Sequence, residues 1–251
     1  MLAGWVPTVA AVTDRRRVWV SGGGSGVGAA VALDLARTGH DVVVSGRRAE
    51  RLGEVVIAAR GLAGSVRALP LDVADPAAVA AAGQELAATG GVDVLVAAAG
   101  LNVVRRHWDD LDLPGLDAVV ATDLVAVAHC IAAVLPGMRE RRDGQVVVVS
   151  SRAAVRRSPG AGAAYSAAKA GTGQLVTSLN DDLHAQGVRA THLCPGDIAT
   201  DFVDARPQVP DADARAVMLT PADVARAVGF VVASPASVRI DELVLSPSTT
   251  P

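Results

Sequence analysis

A doubly wound α/β fold, a parallel seven-stranded sheet with helices on both faces, is what this sequence predicts. Two observations point to it. Short Val-rich runs alternate with longer Ala-rich segments, the order that builds a parallel sheet wound with helices. The runs VVVS, VLVAAA and VVVVS are continuously apolar rather than alternating, as strands covered on both faces must be. No Pro/Ser linker, composition break or internal repeat interrupts the chain. The expected organisation is therefore one domain over residues 15–251 behind an extension at 1–14.

Taken in order, the strands are expected at Val18–Ser21, Asp41–Ser45, Val66–Leu69, Val92–Ala97, Gln145–Ser150, Val188–Leu193 and near Leu243–Leu245. Helical segments are expected between them at Val27–Thr38, Ala49–Ala59, Pro76–Ala88, Leu116–Arg141, Ala164–Ala185 and Pro221–Ala233. Asp75-Pro76 and Thr220-Pro221 each put a capping residue before a proline at the first helical position, which marks a helix start.

At 251 residues and 51% hydrophobic, the chain has ample material for a buried core. A net charge of −3 gives no electrostatic reason to expect nucleic acid or an anionic membrane as partner. Cys130 and Cys194 are the two cysteines, with no metal-ligand spacing around them. No metal is expected, and a reducing cytoplasm is the default compartment. The apolar run at 1–12 precedes Asp14-Arg15-Arg16-Arg17, the reverse of the charge order in a signal peptide, and is too short to span a bilayer. It reads as an N-terminal extension, with a membrane-associating segment as the alternative. Gly, Asp and Arg cut the later Val/Ala runs, so no transmembrane helix is expected.

The first strand leads into Ser21-Gly22-Gly23-Gly24-Ser25-Gly26-Val27-Gly28 and then a helix. Glycines there permit a tight turn, close approach of a phosphate to the main chain, and close packing of helix on strand. The helix N-terminus supplies free N–H groups and the positive end of a dipole. With a second strand about 20 residues on, this is a dinucleotide site of Rossmann type. After that second strand comes Gly46 instead of a carboxylate for a ribose hydroxyl, followed by Arg47 and Arg48. Guanidinium groups suit a 2′-phosphate, which a carboxylate would repel, so the expected cofactor is NADP(H). Alternatively, Arg48 and Arg51 form a solvated helix face beside Glu50.

Tyr165 is the chain's only tyrosine, and Lys169 lies four residues on, one turn along the same helix face. A phenol ordinarily titrates near pH 10, and a neighbouring ammonium favours its ionised form. Such a pair gives or takes a proton at a carbonyl or alcohol oxygen.

These motifs together resemble the short-chain dehydrogenase/reductase family from about Arg17 to Leu245. They are the glycine turn, Leu71-Asp72-Val73, Ala99-Gly100, Ser151, Tyr165-x-x-x-Lys169, and Pro195-Gly196 with Ile198 and Thr200. The tail Pro221–Pro247 is similar to NADP-dependent hydroxy-acid and alcohol dehydrogenases. The resemblance implies a hydride-transfer enzyme that interconverts a ketone or aldehyde with an alcohol. Tyr165 would be the general acid/base, Lys169 would hold the nicotinamide ribose, and Ser151 would bond the substrate oxygen. Ser150 is the weaker candidate, because strand alternation points it to the opposite face. The cofactor would lie on Gly22, Gly24, Ser25, Gly26, Val27 and Gly28, with Asp72 and Val73 beside the adenine. It would continue past Ala98, Ala99 and Gly100 to Pro195, Gly196 and Ile198, with Thr200 near the carboxamide. The resemblance also implies a homodimer or homotetramer built on the two long helices.

Three departures stand out. The family's asparagine in a proton relay toward the lysine is Asp123 here, which adds a charge and loses two donors. Its Asn-Asn-Ala-Gly is Ala97-Ala98-Ala99-Gly100, and Ser25 stands where many NADP members carry a second basic residue. Asp123 and the lost amides motivate an alternative, an NADP(H)-binding sensor or scaffold with little turnover, while Ser25 weighs against NADP(H). An epimerase or dehydratase relative would need a longer C-terminal substrate region. For the small-molecule substrate, Arg105, Arg106, Arg156, Arg157 and Arg206 on candidate loops make either an anion-seeking mouth or ordinary solvated surface, with Asp109, Asp110 and Asp112 nearby. Trp108 and Phe202 are candidates to cap the pocket, and His107 is the one histidine in a candidate substrate loop.

Overall fold

The computed structural model describes residues 15–248, so the extension at 1–14 lies outside the described residues. Seven strands form one parallel sheet: β1 (Arg17–Ser21), β2 (Asp41–Gly46), β3 (Ser65–Pro70), β4 (Val94–Ala97), β5 (Gly144–Val149), β6 (Val188–Pro195) and β7 (Glu242–Leu245). Their spatial order is β3-β2-β1-β4-β5-β6-β7, with the reversal of direction between β1 and β4. In such sheets the crevice at that switch point, beyond the strands' C-terminal ends, is where ligands bind.

Helices α1 (Gly26–Arg37), α2 (Ala49–Ala58) and α8 (Pro221–Ala233) cover one face; α3 (Pro76–Ala88), α5 (Ala126–Arg141) and α6 (Ala163–Leu183) cover the other. Alternation along a strand divides the core accordingly. Val18 and Val20 pack with Val31, Leu35 and Val228 on the first face, while Trp19 packs with Val79, Leu86 and Ile131 on the second. The Trp19 indole N–H donates to Ser45 Oγ at 2.9 Å, which satisfies the one polar atom of a fully buried ring. Both anticipated helix starts carry their caps. Asp75 Oδ1 accepts from the N–H groups of Ala77 and Ala78, and Thr220 forms a reciprocal capping box with Asp223.

Two expectations need correction. The helix expected over Leu116–Arg141 is composite: α4 (Leu113–Val120), a π-helical turn (Ala121–Val125), then α5. A π turn inserts an extra residue and rotates the face that follows, and this one carries Asp123 inward to complete burial. In addition, the continuous run Leu113–Arg141, 29 residues long, holds an 18-residue stretch of mean hydropathy 2.2 and is long and apolar enough to cross a membrane by length and composition alone. Val119, Val127, Ile131, Val134 and Met138 on this run are buried within the protein.

A short helix, α7 (Ala212–Ala216), follows β6 and has no periodic apolar signal in the sequence. It borders the loops that close one end of the cleft.

Candidate active site

The C-terminal ends of β1, β2, β4, β5 and β6 open onto a cleft of about 910 Å³. At its first end the wall is main chain. Gly22 turns with φ +69°, and a Cβ there would lie 2.7 Å from the backbone of Ala99. A Cβ on Gly28 would lie 2.3 Å from the Gly22 carbonyl oxygen, so α1 and β1 meet where no side chain fits. Ser25, the N-cap of α1, makes no capping bond with its side chain, and the first turn of α1 holds no carboxylate. The opening N–H groups of α1 are thus left for an anion in the cleft that Gly24, Ser25, Gly26, Val27 and Gly28 line.

Arg47 and Arg48 stand at the same end, exposed on the cleft wall. Arg48 Nη2 donates to Ser25 Oγ at 3.2 Å, so a guanidinium crosses from the second strand to the glycine turn. A cation therefore stands beside Ser25 although the turn itself has no basic residue. Asp72 and Val73 line the cleft next to it, with Asp72 Oδ1 accepting from Ala74 N–H at 3.0 Å. Opposite are Ala98, Ala99 and Gly100. Ser21 Oγ accepts from the N–H groups of Ala98 and Ala99 at 3.2 and 3.4 Å, which ties this stretch down without side-chain amides. Pro195, Gly196, Ile198 and Thr200 complete the wall beyond β6.

Tyr165, Lys169 and Ser151 lie at the far end. Lys169 is buried, with Nζ 3.4 Å from the Val149 carbonyl and 5.5 Å from the centre of the Tyr165 ring. Ser151 Oγ accepts from Ala153 N–H at 3.1 Å, and its hydroxyl favours ionisation of Tyr165. Ser150 instead donates to the Lys169 carbonyl at 3.2 Å, holding α6 against β5. The Phe202 ring stands 5.9 Å from that of Tyr165, tilted by 48°.

Asp123 does not line the cleft; it lies behind Lys169. Its Oδ1 accepts from Leu101 N–H at 2.8 Å and its Oδ2 is 3.3 Å from Lys169 Nζ, with both side chains buried. The carboxylate thus meets the ammonium directly. Burial pushes the Asp123 carboxyl up, against the opposing pull of Lys169. Burial also acts to lower Lys169, but Asp123 and Tyr165 outweigh it and the ammonium is held above its ordinary range. For Tyr165 the expectation of a lowered pKa fails. Burial pushes the phenol up, Lys169 pulls it down, and the Asp123 charge pushes it up again; the result lies above the ordinary value even with Ser151 and Arg206 favouring ionisation.

The other candidates divide. Arg206 and Phe202 line the cleft, His107, Trp108, Arg156 and Arg157 line a second hollow beside it, and Arg106 lines both. Trp108 is 80% exposed and so does not cap the cleft. Arg105 lies 3.6 Å from Asp112 as a surface pair. Cys194 is fully buried and its thiol is pushed up to about 12 by burial, the behaviour of a packed small residue. Sequence spacing gave no sign of one group: ligand atoms of His192, Cys194 and Glu242 lie within 4.8 Å of one another, because β7 brings Glu242 opposite His192. Asn102, whose side chain donates to the Ala161 carbonyl at 2.9 Å, also joins the cleft wall.

The family model for short chain dehydrogenases matches residues 16–210. Among curated relatives, the NADP-dependent 3-hydroxy acid dehydrogenase YdfG of Escherichia coli (strain K12) is 33% identical over 239 residues, covering 92% of this chain and 95% of the relative. Among solved structures, an alcohol dehydrogenase from the archaeon Thermococcus sibiricus complexed with 5-hydroxy-NADP superposes with a TM-score of 0.85 at 26% identity, over 95% of this chain and 99% of that one. The closed form of a serine dehydrogenase complexed with NADP+ gives a TM-score of 0.84 at 31% identity, over 94% and 96%.

Proposed function

The chain belongs to the short-chain dehydrogenase family and is an NADP(H)-dependent oxidoreductase acting on an alcohol or its carbonyl counterpart, and from that premise we propose that Tyr165 is its general acid/base. One observation carries the assignment of roles. The only tyrosine stands over a buried ammonium at one end of a cleft whose other end is an uncapped helix N-terminus between glycines and arginines.

The residues fit the cofactor. The α1 N–H groups with Gly22, Gly24, Gly26 and Gly28 would hold the pyrophosphate. Arg47 and Arg48 would take the 2′-phosphate, and Asp72 and Val73 the adenine. Ala98, Ala99 and Gly100 would line the middle, Lys169 would hold the nicotinamide ribose, and Pro195, Gly196, Ile198 and Thr200 the nicotinamide end. When bound, NADPH supplies the hydride and NADP+ accepts it.

The remaining chemistry belongs to this chain. In reduction the Tyr165 hydroxyl, neutral because its pKa lies high, donates its proton to the carbonyl oxygen; in oxidation the phenolate takes that proton back. Ser151 Oγ bonds the same oxygen and fixes its position. Lys169, held in its ammonium form by Asp123, stabilises the phenolate left after donation. Asp123 is a positioning residue, because it acts through Lys169. A phenol held high keeps the reductive direction open well into alkaline pH and confines the oxidative direction to higher pH.

The substrate is a small molecule. The relatives' names span alcohols and hydroxy acids, so a short hydroxy compound that can be anionic is the class to screen first. The protein would work as a homodimer or homotetramer through the long helices, and in the cytoplasm, where its two free thiols stay reduced. The test is a parallel titration of the protein with NADPH and NADH, following nicotinamide fluorescence, and then a carbonyl panel with the preferred cofactor. Tighter NADPH binding with turnover is expected; preference for NADH would overturn the roles of Arg47 and Arg48.

A further inference from the structure

We infer that Arg106 and Arg206 form a carboxylate subsite, so that the substrates are short oxo acids and hydroxy acids whose acid group is read at the end of the cleft beyond Tyr165. The inference rests on the oxidoreductase reading above and adds the class of substrate and the residues that select it.

Arg106 is the anomaly that points there. It is 3% exposed and lines the cleft, yet no ion pair among the described residues includes it. Its partners are three main-chain carbonyls from three different loops: Nε donates to Val103 at 2.5 Å, Nη1 to Gly160 at 3.4 Å, and Nη2 to Ala205. Those loops follow β4, β5 and β6, so one guanidinium ties together every loop that closes this end of the cleft. Carbonyl dipoles satisfy hydrogen-bond geometry without cancelling a full charge, and a buried cation without a counter-ion is costly. Three bonds also leave two of the five guanidinium N–H donors for another acceptor.

Arg206 lines the same cleft and adds a second guanidinium. Its charge is felt by both Arg106 and Tyr165, and it opposes the protonated state of the first. Its own partner is Asp197, at 2.6 and 3.3 Å. Asp197 and Asp201 both line the cleft, but both are exposed, so water screens them. The unbalanced charge is therefore the buried one. A carboxylate can neutralise it through paired N–H bonds while the oxygen to be protonated meets Tyr165 and Ser151. Phe202, packed on Tyr165, supplies the apolar wall between.

The experiment compares C4 acids bearing an oxo or hydroxy group at carbon 2, 3 or 4 with their methyl esters, using wild-type protein and NADPH or NADP+. For at least one position, kcat/KM for the acid should exceed that for the ester at least tenfold, and calorimetry should show that hydroxy acid binding the NADP+ complex. Arg206→Gln, on a partly buried side chain, should raise KM for the acid by a larger factor than KM for the ester. Arg106→Lys should erase the preference while cooperative unfolding and NADPH binding confirm an intact fold. Esters used as well as acids across the series, or a neutral aldehyde reduced while every acid is refused, would overturn the subsite and leave the oxidoreductase standing. Absence of nicotinamide turnover with every carbonyl, the neutral aldehyde included, would remove the parent reading and this one with it.

Discussion

The two ends of the cleft are made of different material. At the cofactor end the wall is main chain, brought close by glycines and by the bare start of α1, on strands paired to neighbours on both sides. At the substrate end the wall is long side chains on loops, held by Arg106 bonding to carbonyls 54 and 99 residues away. The first end is the one proposed to hold the cofactor, a group the family shares. The second is free to vary because loops tolerate change, and so it can select a substrate. Tyr165 belongs to the second end, and its proton depends on the charges of Lys169, Asp123 and Arg206.

Mutations should separate the two ends, from a large effect down to a small one. Tyr165→Phe removes the proton donor and should lower kcat by about 10²–10⁴-fold, the range for general acid catalysis, with NADPH affinity kept; steady-state rates beside a fluorescence titration check this. At the cofactor end, Gly28→Ala forces a Cβ to 2.3 Å from the Gly22 carbonyl. It should destabilise the protein by about 1–3 kcal/mol and weaken both nicotinamide cofactors together, seen in denaturant melts and titrations. Arg47→Ala should cost NADPH about 1.5–3 kcal/mol of binding, the worth of a charged hydrogen bond, while NADH is unaffected. Equal loss for both cofactors would show that Arg47 does not read the phosphate.

The smallest effect on rate is expected at Asp123→Asn, where pH dependence carries the information. Asp123 raises the Tyr165 pKa, so losing its charge favours the phenolate. The alkaline limb of the reductive profile and the rise of the oxidative profile should both move to lower pH. Unmoved profiles, with Lys169 still in place, would mean that the carboxylate does not act on the phenol.

Local chemistry made the cofactor end readable in the sequence. A strand, a glycine turn, a helix and two arginines are contiguous, and the residues named from them line one cleft. The helix starts at Pro76 and Pro221 were readable for the same reason, since a cap and a proline act within one turn. What stayed hidden depends on distance along the chain. The π turn at Ala121–Val125 breaks a helical period that the composition continues without pause. Ser150 and Ser151 could be ranked by strand alternation, but the partners of Arg106 belong to loops whose meeting no spacing encodes. The raised Tyr165 pKa shows the same limit: the i, i+4 ammonium was visible, whereas burial and the Asp123 charge emerged only from packing.

The most direct test of hydride transfer with Tyr165 as proton donor follows a labelled hydrogen. The protein is supplied with NADPH carrying deuterium at the transferable position of C4 and with an oxo acid from the C4 series. The account predicts one deuterium on the carbinol carbon of the product, at a rate that collapses in Tyr165→Phe. Bound but never oxidised NADPH would contradict it and identify a sensor; product whose new C–H hydrogen comes from water would contradict it equally.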